Sequence, residues 1–362
     1  MPGLLCALLL LSSISVATGA SCACSSVLIP VHVDVLVPKD PTDVFAGLKS
    51  NASSLRRVDD TYDVYGVFCQ PDSVSTENAD VPLQLLVHGI TYTSQYWSPP
   101  VEEFRNYSYA AFSCARGLPS LAVDWVGVGL STRPVNASDV QYPTVAGALS
   151  QVARHLKSTS ILPGVEPFKK IIGVGHSAGS SLLNFGAIVE GAQSPFDGLI
   201  LTASLIIEPG TLPPGATFPS ARDIDPLRWG TLDPAYITDP NCTIFYPADP
   251  TAFSSRMLIF DGFTMDVASV STFFQTPTTS LTTHYTGPVA KVLGSDDQLF
   301  CAGTGRCVDV AALAAAEKVL WPDARSFEVV VEQGSGHDLN LDFLAEGPFN
   351  TFVGLVEQFS EF

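Results

Sequence analysis

The residues with the most chemical promise lie in Gly175-His176-Ser177-Ala178-Gly179, a G-x-S-x-G pattern. A serine hydroxyl attacks a carbonyl carbon only when a base takes its proton, so Ser177 is a candidate nucleophile only in the right company. The pattern by itself is weak evidence; its setting is stronger. It follows strand-like Lys169-Lys170-Ile171-Ile172 and precedes a helix-like run over 180–190. A strand that turns sharply into a helix needs glycines around the turn, which Gly175 and Gly179 supply. The serine then stands at a helix N-terminus, where the backbone N–H of Ala178 can face a developing oxyanion.

The chain has six histidines, and elimination narrows the choice of base. His32 lies in the first strand, and His155 sits on a helix beside Arg154 and Lys157. Neighbouring side chains at a tight turn diverge, so His176 is a poor base for Ser177. His88 belongs to a loop taken up below. His284 precedes a strand, at the wrong end of a parallel sheet. His337 follows the last strand and precedes the terminal helix, at the edge where strand ends open towards a ligand, and is the candidate base. A carboxylate must fix its tautomer and offset the imidazolium charge. Asp296 and Asp297 follow a strand and both qualify; Glu208, after the preceding strand, is a rival. The second oxyanion donor is expected in the loop after the third strand, where His88-Gly89-Ile90 offers the N–H of Ile90 and Gly89 permits close approach. Tyr92 and Trp97 in the same loop, with Tyr96 between them, are placed to line a substrate pocket.

Short apolar runs at 31–37, 64–68, 83–88, 121–124, 171–174, 198–202, 289–293 and 327–331 read as eight strands. Helical spacing at 101–115, 145–156, 177–190, 308–320 and from Leu341 onwards separates them. Such alternation predicts an α/β fold: a mostly parallel eight-stranded sheet with helices on both faces. One interval breaks the rhythm. Residues 204–286 open with a crowd of prolines from Pro209 to Pro250, followed by an apolar stretch over 253–274 that could be helical. This interval reads as a cap inserted between a first core part, 21–203, and a second, 287–362.

The first 20 residues read as a secretory leader, with an apolar run from Leu4 to Leu11 and a cut after Ala20. That run is too short to span a bilayer, which takes about 20 apolar residues. Asn51, Asn106, Asn136 and Asn241 begin N-x-S/T acceptors, so half of the eight asparagines are candidate glycosylation sites on the surface. Seven cysteines remain beyond Cys6; Cys301 and Cys307 flank a glycine-containing loop and form the expected local disulfide, and the odd total leaves a thiol over. These features place the protein outside the cell. A net charge of −18 argues against a nucleic-acid partner and against anionic membranes. No cysteine–histidine spacing suggests a metal site.

The order Ser177, Asp297, His337, the glycine-rich elbow, the His88-Gly89 loop and the element Asp124-Trp-Val-Gly127-Val-Gly129-Leu-Ser131 together resemble the α/β-hydrolase superfamily. The resemblance covers the chain from about Ser26 to its end, with a flavour of secreted fungal hydrolases of the esterase and lipase type. The family's G-x-x-D pattern falls on Gly294 and Asp297 and so favours Asp297 over Asp296. Its D-x-x-G-x-G-x-S element falls on Asp124, Gly127, Gly129 and Ser131 and implies a structural turn. The oxyanion loop is HGIT, not the HGGG of many lipases, so long-chain lipid substrates do not follow. The resemblance implies a serine esterase acting on a small ester or lactone without metal or organic cofactor. The fold also hosts lyases, cyclases and ligand-binding members without turnover. Its epoxide hydrolases and dehalogenases carry Asp at the nucleophile position, where this chain has Ser177.

Overall fold

The β-branched and leucine-rich runs become strands because they can be buried on both faces, and helices pack on each side to bury them. The computed structural model describes residues 22–41, 52–71, 81–206, 218–275 and 281–361. The strands are β1 (Cys22–Pro38), β2 (Leu55–Pro71), β3 (Leu83–Val87), β4 (Ser120–Val123), β5 (Ile171–His176), β6 (Gly198–Thr202), β7 (Tyr236–Ile237), β8 (Ala268–Ser269), β9 (Val289–Gly294) and β10 (Phe327–Glu332). The helices are α1 (Tyr109–Cys114), α2 (Tyr142–Ser158), α3 (Ala178–Glu190), α4 (Ala221–Ile224), α5 (Pro226–Trp229), α6 (Ser255–Thr264), α7 (Val270–Phe274), α8 (Val310–Lys318) and α9 (Glu346–Ser360). Eight strands form one sheet in the order β1-β2-β4-β3-β5-β6-β9-β10. It is parallel from β4 to β10, with β1 and β2 antiparallel at one edge.

Period-two alternation divides the apolar side chains between two cores. Leu85, Val87, Ile171, Leu199 and Leu201 face one side, where α2 and α3 supply Leu149, Val152, Leu182 and Phe185. Leu86, Ile172, Val174 and Ile200 face the other, where α1 and α9 supply Tyr109, Phe349, Phe352 and Val356. The expected mostly parallel eight-stranded sheet with helices on both faces is what the chain forms.

Several expected boundaries shift for local reasons. The opening strands are far longer than 31–37 and 64–68, because β1 and β2 form a hairpin edge with one face in solvent: Val27, Ile29, Val31 and Val33 point inward while Leu28, Pro30, His32 and Asp34 are exposed. The helix expected over 101–115 is instead a 3-10 segment followed by short α1. Extended backbone at Ser108 interrupts it, and the Ser108 hydroxyl accepts from the Ala111 N–H to start α1. The helical stretch expected over 253–274 breaks after Thr264, where the Asp266 N–H bonds to the Thr91 carbonyl at 2.8 Å and leads into β8. Between β6 and β9 the described residues carry α4 to α7 and the antiparallel β7–β8 pair, and none of them joins the eight-stranded sheet. No helix among the described residues is long and apolar enough to cross a membrane.

The expected pairing of Cys301 with Cys307 is present. Two further pairs, Cys22–Cys114 and Cys24–Cys69, fasten the outer hairpin to α1 and β1 to β2, and Cys242 is the buried thiol left over. Asn106, Asn136 and Asn241 are exposed; Asn51 and residues 1–20, read above as a leader, lie outside the described residues.

Lys291 stands in the middle of β9 and is fully buried, with its ammonium 2.5 Å from Glu317 of α8. The other Glu317 oxygen accepts from the Ile206 N–H at 3.0 Å. Removing one member of such a pair strands the other in the core. Glu317→Ala is expected to lower stability by about 3–5 kcal/mol in guanidinium unfolding, and Lys291→Met combined with Glu317→Leu to recover most of it.

Candidate active site

The site forms where parallel strands end. At the end of β5 the chain reverses through Ser177, whose φ of 49° and ψ of −115° lie in a region that side chains rarely adopt. Its N–H is held by the Thr202 carbonyl of β6 at 2.9 Å, and its own carbonyl accepts from Ser181 at 3.1 Å as α3 begins. The Ser177 side chain makes no capping bond to α3 and is partly exposed. The flanking glycines are required by contact. A Cβ on Gly175 would lie 2.6 Å from the Ser180 nitrogen, and one on Gly179 2.3 Å from the Val87 carbonyl oxygen.

The loop after β3 packs directly against this turn. A Cβ on Gly89 would lie 2.9 Å from the His176 ring and 3.4 Å from the Ser177 Cβ. Ile90 and Ala178 are both buried here, at the two backbone positions expected to donate to an oxyanion. Thr91 takes a left-handed φ of 61° and its hydroxyl donates to the Ile90 carbonyl at 2.6 Å. His88 stacks on Trp125 and its Nδ1 donates to the Gly89 carbonyl at 2.8 Å; burial pushes its pKa down to about 4, so it is neutral. The Asp124 element does structural work, as expected. Its carboxylate accepts from the Ser94 and Leu130 N–H groups at 2.7 and 2.9 Å, tying the loop after β3 to the loop after β4.

His337 follows β10 in a buried loop, and its Nδ1 lies 2.8 Å from the Asp297 Oδ2. The other Asp297 oxygen accepts from the Leu299 and Phe300 N–H groups, which fixes the carboxylate. Asp296 is exposed and receives only the Ser295 hydroxyl, and Glu208 lies outside the described residues. A carboxylate can only accept, so the proton of this contact sits on Nδ1, and in the neutral ring Nε2 is the acceptor. The His337 ring is flanked by Phe245 and Phe300 and lies 5.1 Å from the ring of His176, the residue before Ser177. His284 is exposed and paired with Asp323, with its Cβ beside Gly191 at the far end of α3.

The two aromatic residues expected to line a pocket are both buried. Trp97 packs edge-on against Tyr109 and Phe352 in the core and so anchors the loop. Tyr92 is also buried, and its hydroxyl lies 2.6 Å from Asp338 and 3.0 Å from Asp261. The sequence reading missed this polar cluster. Asp338 reaches the His176 Nε2 at 3.0 Å, and Asp261 of α6 accepts from Tyr246 at 3.1 Å. Burial, with Asp261 nearby, raises the Asp338 pKa well above the carboxylate range, and burial lifts Asp261 to about 7. Carboxylates set among apolar residues, as in Phe260-Asp261-Gly262-Phe263 and Gly336-His337-Asp338-Leu339, were the available signal. A separate cleft of about 950 Å3 opens between the loops after β3 and β4 and the segment between β6 and β9, lined by Gln95, Arg133, Trp229, Phe263 and Met265.

The sequence pattern of the Alpha/beta hydrolase family matches residues 84–346. Among solved structures, the epoxide hydrolase VrEH1 from Vigna radiata superposes with a TM-score of 0.52 at 14% identity, over 82% of this chain and 95% of that one. A thermophilic esterase from Thermogutta terrifontis, crystallised with malate, also reaches 0.52 at 13% identity, over 91% of this chain and 99% of the other. A laboratory-evolved variant of the potato epoxide hydrolase StEH1 gives 0.51 at 13%, over 82% and 96%. At such identities these likenesses concern the fold. A search of curated proteins returned no match.

The tightness of the turn is testable. A methyl group at position 179 has only backbone carbonyls to meet, and these cannot rotate away as a side chain could. Gly179→Ala should therefore lower the melting temperature by several degrees, corresponding to roughly 1–3 kcal/mol, whereas Gly354→Ala on the open face of α9 should leave it unchanged or raised. Calorimetry of both variants checks this.

Proposed function

The chain belongs to the Alpha/beta hydrolase family, and within it we propose that it is a carboxylic ester hydrolase working through Ser177, His337 and Asp297. The observation that carries this reading is the buried Asp297–His337 hydrogen bond, with the His337 ring 5.1 Å from that of His176, which precedes a serine held in a left-handed turn. With Nδ1–H committed to Asp297, the free Nε2 lone pair of His337 takes the Ser177 proton. The alkoxide attacks the carbonyl carbon of an ester or lactone and forms a tetrahedral adduct. Its oxyanion is received by the N–H groups of Ala178 and Ile90, with the start of α3 aligned behind them. His337 then returns the proton to the leaving alcohol, giving an acyl-serine. Water, deprotonated by the same imidazole, cleaves it and restores the hydroxyl. Buried Asp297 stabilises the transient imidazolium.

A hydroxyl at the turn, where an epoxide-opening enzyme would need a carboxylate, supports acyl transfer as the chemistry. The substrate is a small molecule, and acyl or lactone selectivity would come from the loop after β3 and the inserted residues 204–286. Extracellular residence fits the apolar leader, the four glycosylation acceptors and three cysteine pairs at bridging distance.

The test is labelling of the purified protein with a fluorophosphonate, with the adduct mapped by mass. Labelling is expected at Ser177, to vanish in Ser177→Ala and to slow by orders of magnitude in His337→Ala. On short p-nitrophenyl esters, Asp297→Asn should lower kcat by about 10⁴-fold by favouring the wrong imidazole tautomer. Folded protein that neither labels nor turns over any ester would overturn the reading.

A further inference from the structure

Ser177 follows β5 in the interior of the sheet and His337 follows β10 at its edge, and among the described residues β5 and β10 do not pair. Their immediate neighbours, however, are joined. His176 precedes the serine and Asp338 follows the histidine, and these two fully buried side chains meet at 3.0 Å through Nε2 and Oδ1. The His176 ring has no freedom to turn away. Tyr96 stacks on it with ring centres 4.2 Å apart, Tyr92 meets it edge-on, Gly89 closes on its Cδ2 side, and Nδ1 lies 3.3 Å from the Thr202 hydroxyl. Asp338 is held equally firmly by the Tyr92 hydroxyl on its second oxygen and by its own N–H on the Phe245 carbonyl.

We propose that the His176–Asp338 contact is a latch that sets the distance and angle between Ser177 and His337, making both its members positioning residues for the reaction. This rests on the assignment of Ser177 and His337 given above. The chemistry needs those two side chains in register, because a displacement of about 1 Å in a catalytic group costs about 100-fold in rate. A hydrogen bond between the residues flanking them is the shortest path by which the fold can impose that register. The latch does not depend on a charge. The Tyr92 hydroxyl has one proton to offer Asp338 and Asp261, and these buried carboxyls are relieved when a further proton is shared among them. An amide at position 338 can keep both contacts: its oxygen accepts from His176 and its nitrogen donates to Tyr92.

The experiment compares Asp338→Ala, Asp338→Asn, His176→Phe and the double variant His176→Phe/Asp338→Ala. Asp338→Ala and His176→Phe should each lower kcat on p-nitrophenyl acetate by about 100-fold with KM changed less than about threefold. Asp338→Asn should recover most of the loss. The double variant should be no slower than the worse single, since a broken latch breaks only once. Asn as damaging as Ala, or additive losses in the double variant, would overturn the latch. Amide exchange supplies a readout independent of turnover. Asp338→Ala should speed exchange over residues 334–341 while α9 stays unchanged, and Asp338→Asn should not; unchanged exchange over 334–341 would also overturn it. If Asp338→Ala does not fold, His176→Phe carries both measurements. Ester turnover surviving in Ser177→Ala would instead sink the catalytic assignment, leaving the exchange result to decide the latch by itself.

Discussion

The reversal of the chain at Ser177 is the constraint around which the rest is arranged. A non-glycine residue at φ 49° costs on the order of 1–3 kcal/mol and persists only where its surroundings leave no alternative. Here they do not. The turn is pinned by a hydrogen bond to Thr202 and pressed between Ser180 and the ends of β3, at separations only glycines at 175 and 179 allow. Thr91 and Ala203 share the left-handed conformation, so the ends of three adjacent strands, β3, β5 and β6, all store backbone strain on the same edge of the sheet. The two large cores, each backed by helices, supply the rigidity that strain of this kind requires.

The second organising feature is the number of carboxylates taken out of water near that edge. Asp124, Asp261, Asp297 and Asp338 are all buried. An unpaired buried carboxylate is prohibitive, so each has found donors, and the donors reveal the use. Backbone N–H groups on Asp124 join two loops; an imidazole and two N–H groups on Asp297 fix the His337 ring; tyrosines and a second imidazole on Asp261 and Asp338 knit the segment between β6 and β9 to the turn at Ser177. Burial raises the pKa of Asp124, Asp261 and Asp338, opposed in each case by the hydrogen bonds they accept.

Covalent and ionic ties hold the periphery to this frame. The Cys22–Cys114 pair closes a loop spanning 92 residues and restricts the unfolded chain far more than Cys301–Cys307, which spans 6. It anchors a hairpin whose outer edge has no strand partner among the described residues. On the other side, Lys291 and Glu317 fasten α8 under β9, the strand that delivers Asp297.

The sequence by itself determined the sheet's strands, because runs such as Leu83–Val87 and Gly198–Thr202 are apolar on both faces and carry their own signal. It also singled out Ser177 and His337, because a serine between turn-forming glycines and a histidine after the last strand are local patterns, and it left their carboxylate partner open among Asp296, Asp297 and Glu208. It understated β1 and β2, whose alternate residues face water, and did not reveal that Trp97 is buried, since a buried anchor and a pocket wall use the same aromatic side chain. Only the tertiary structure decided the pairing of Cys22 with Cys114 and Cys24 with Cys69, the choice of Asp297 over exposed Asp296 by direct contact, and the meeting of His176 with Asp338 across 162 positions of chain. The reason is physical. Periodicity and turn chemistry act over a few residues, whereas which polar groups share a buried volume depends on how distant strands stack, and no short stretch of sequence contains that information.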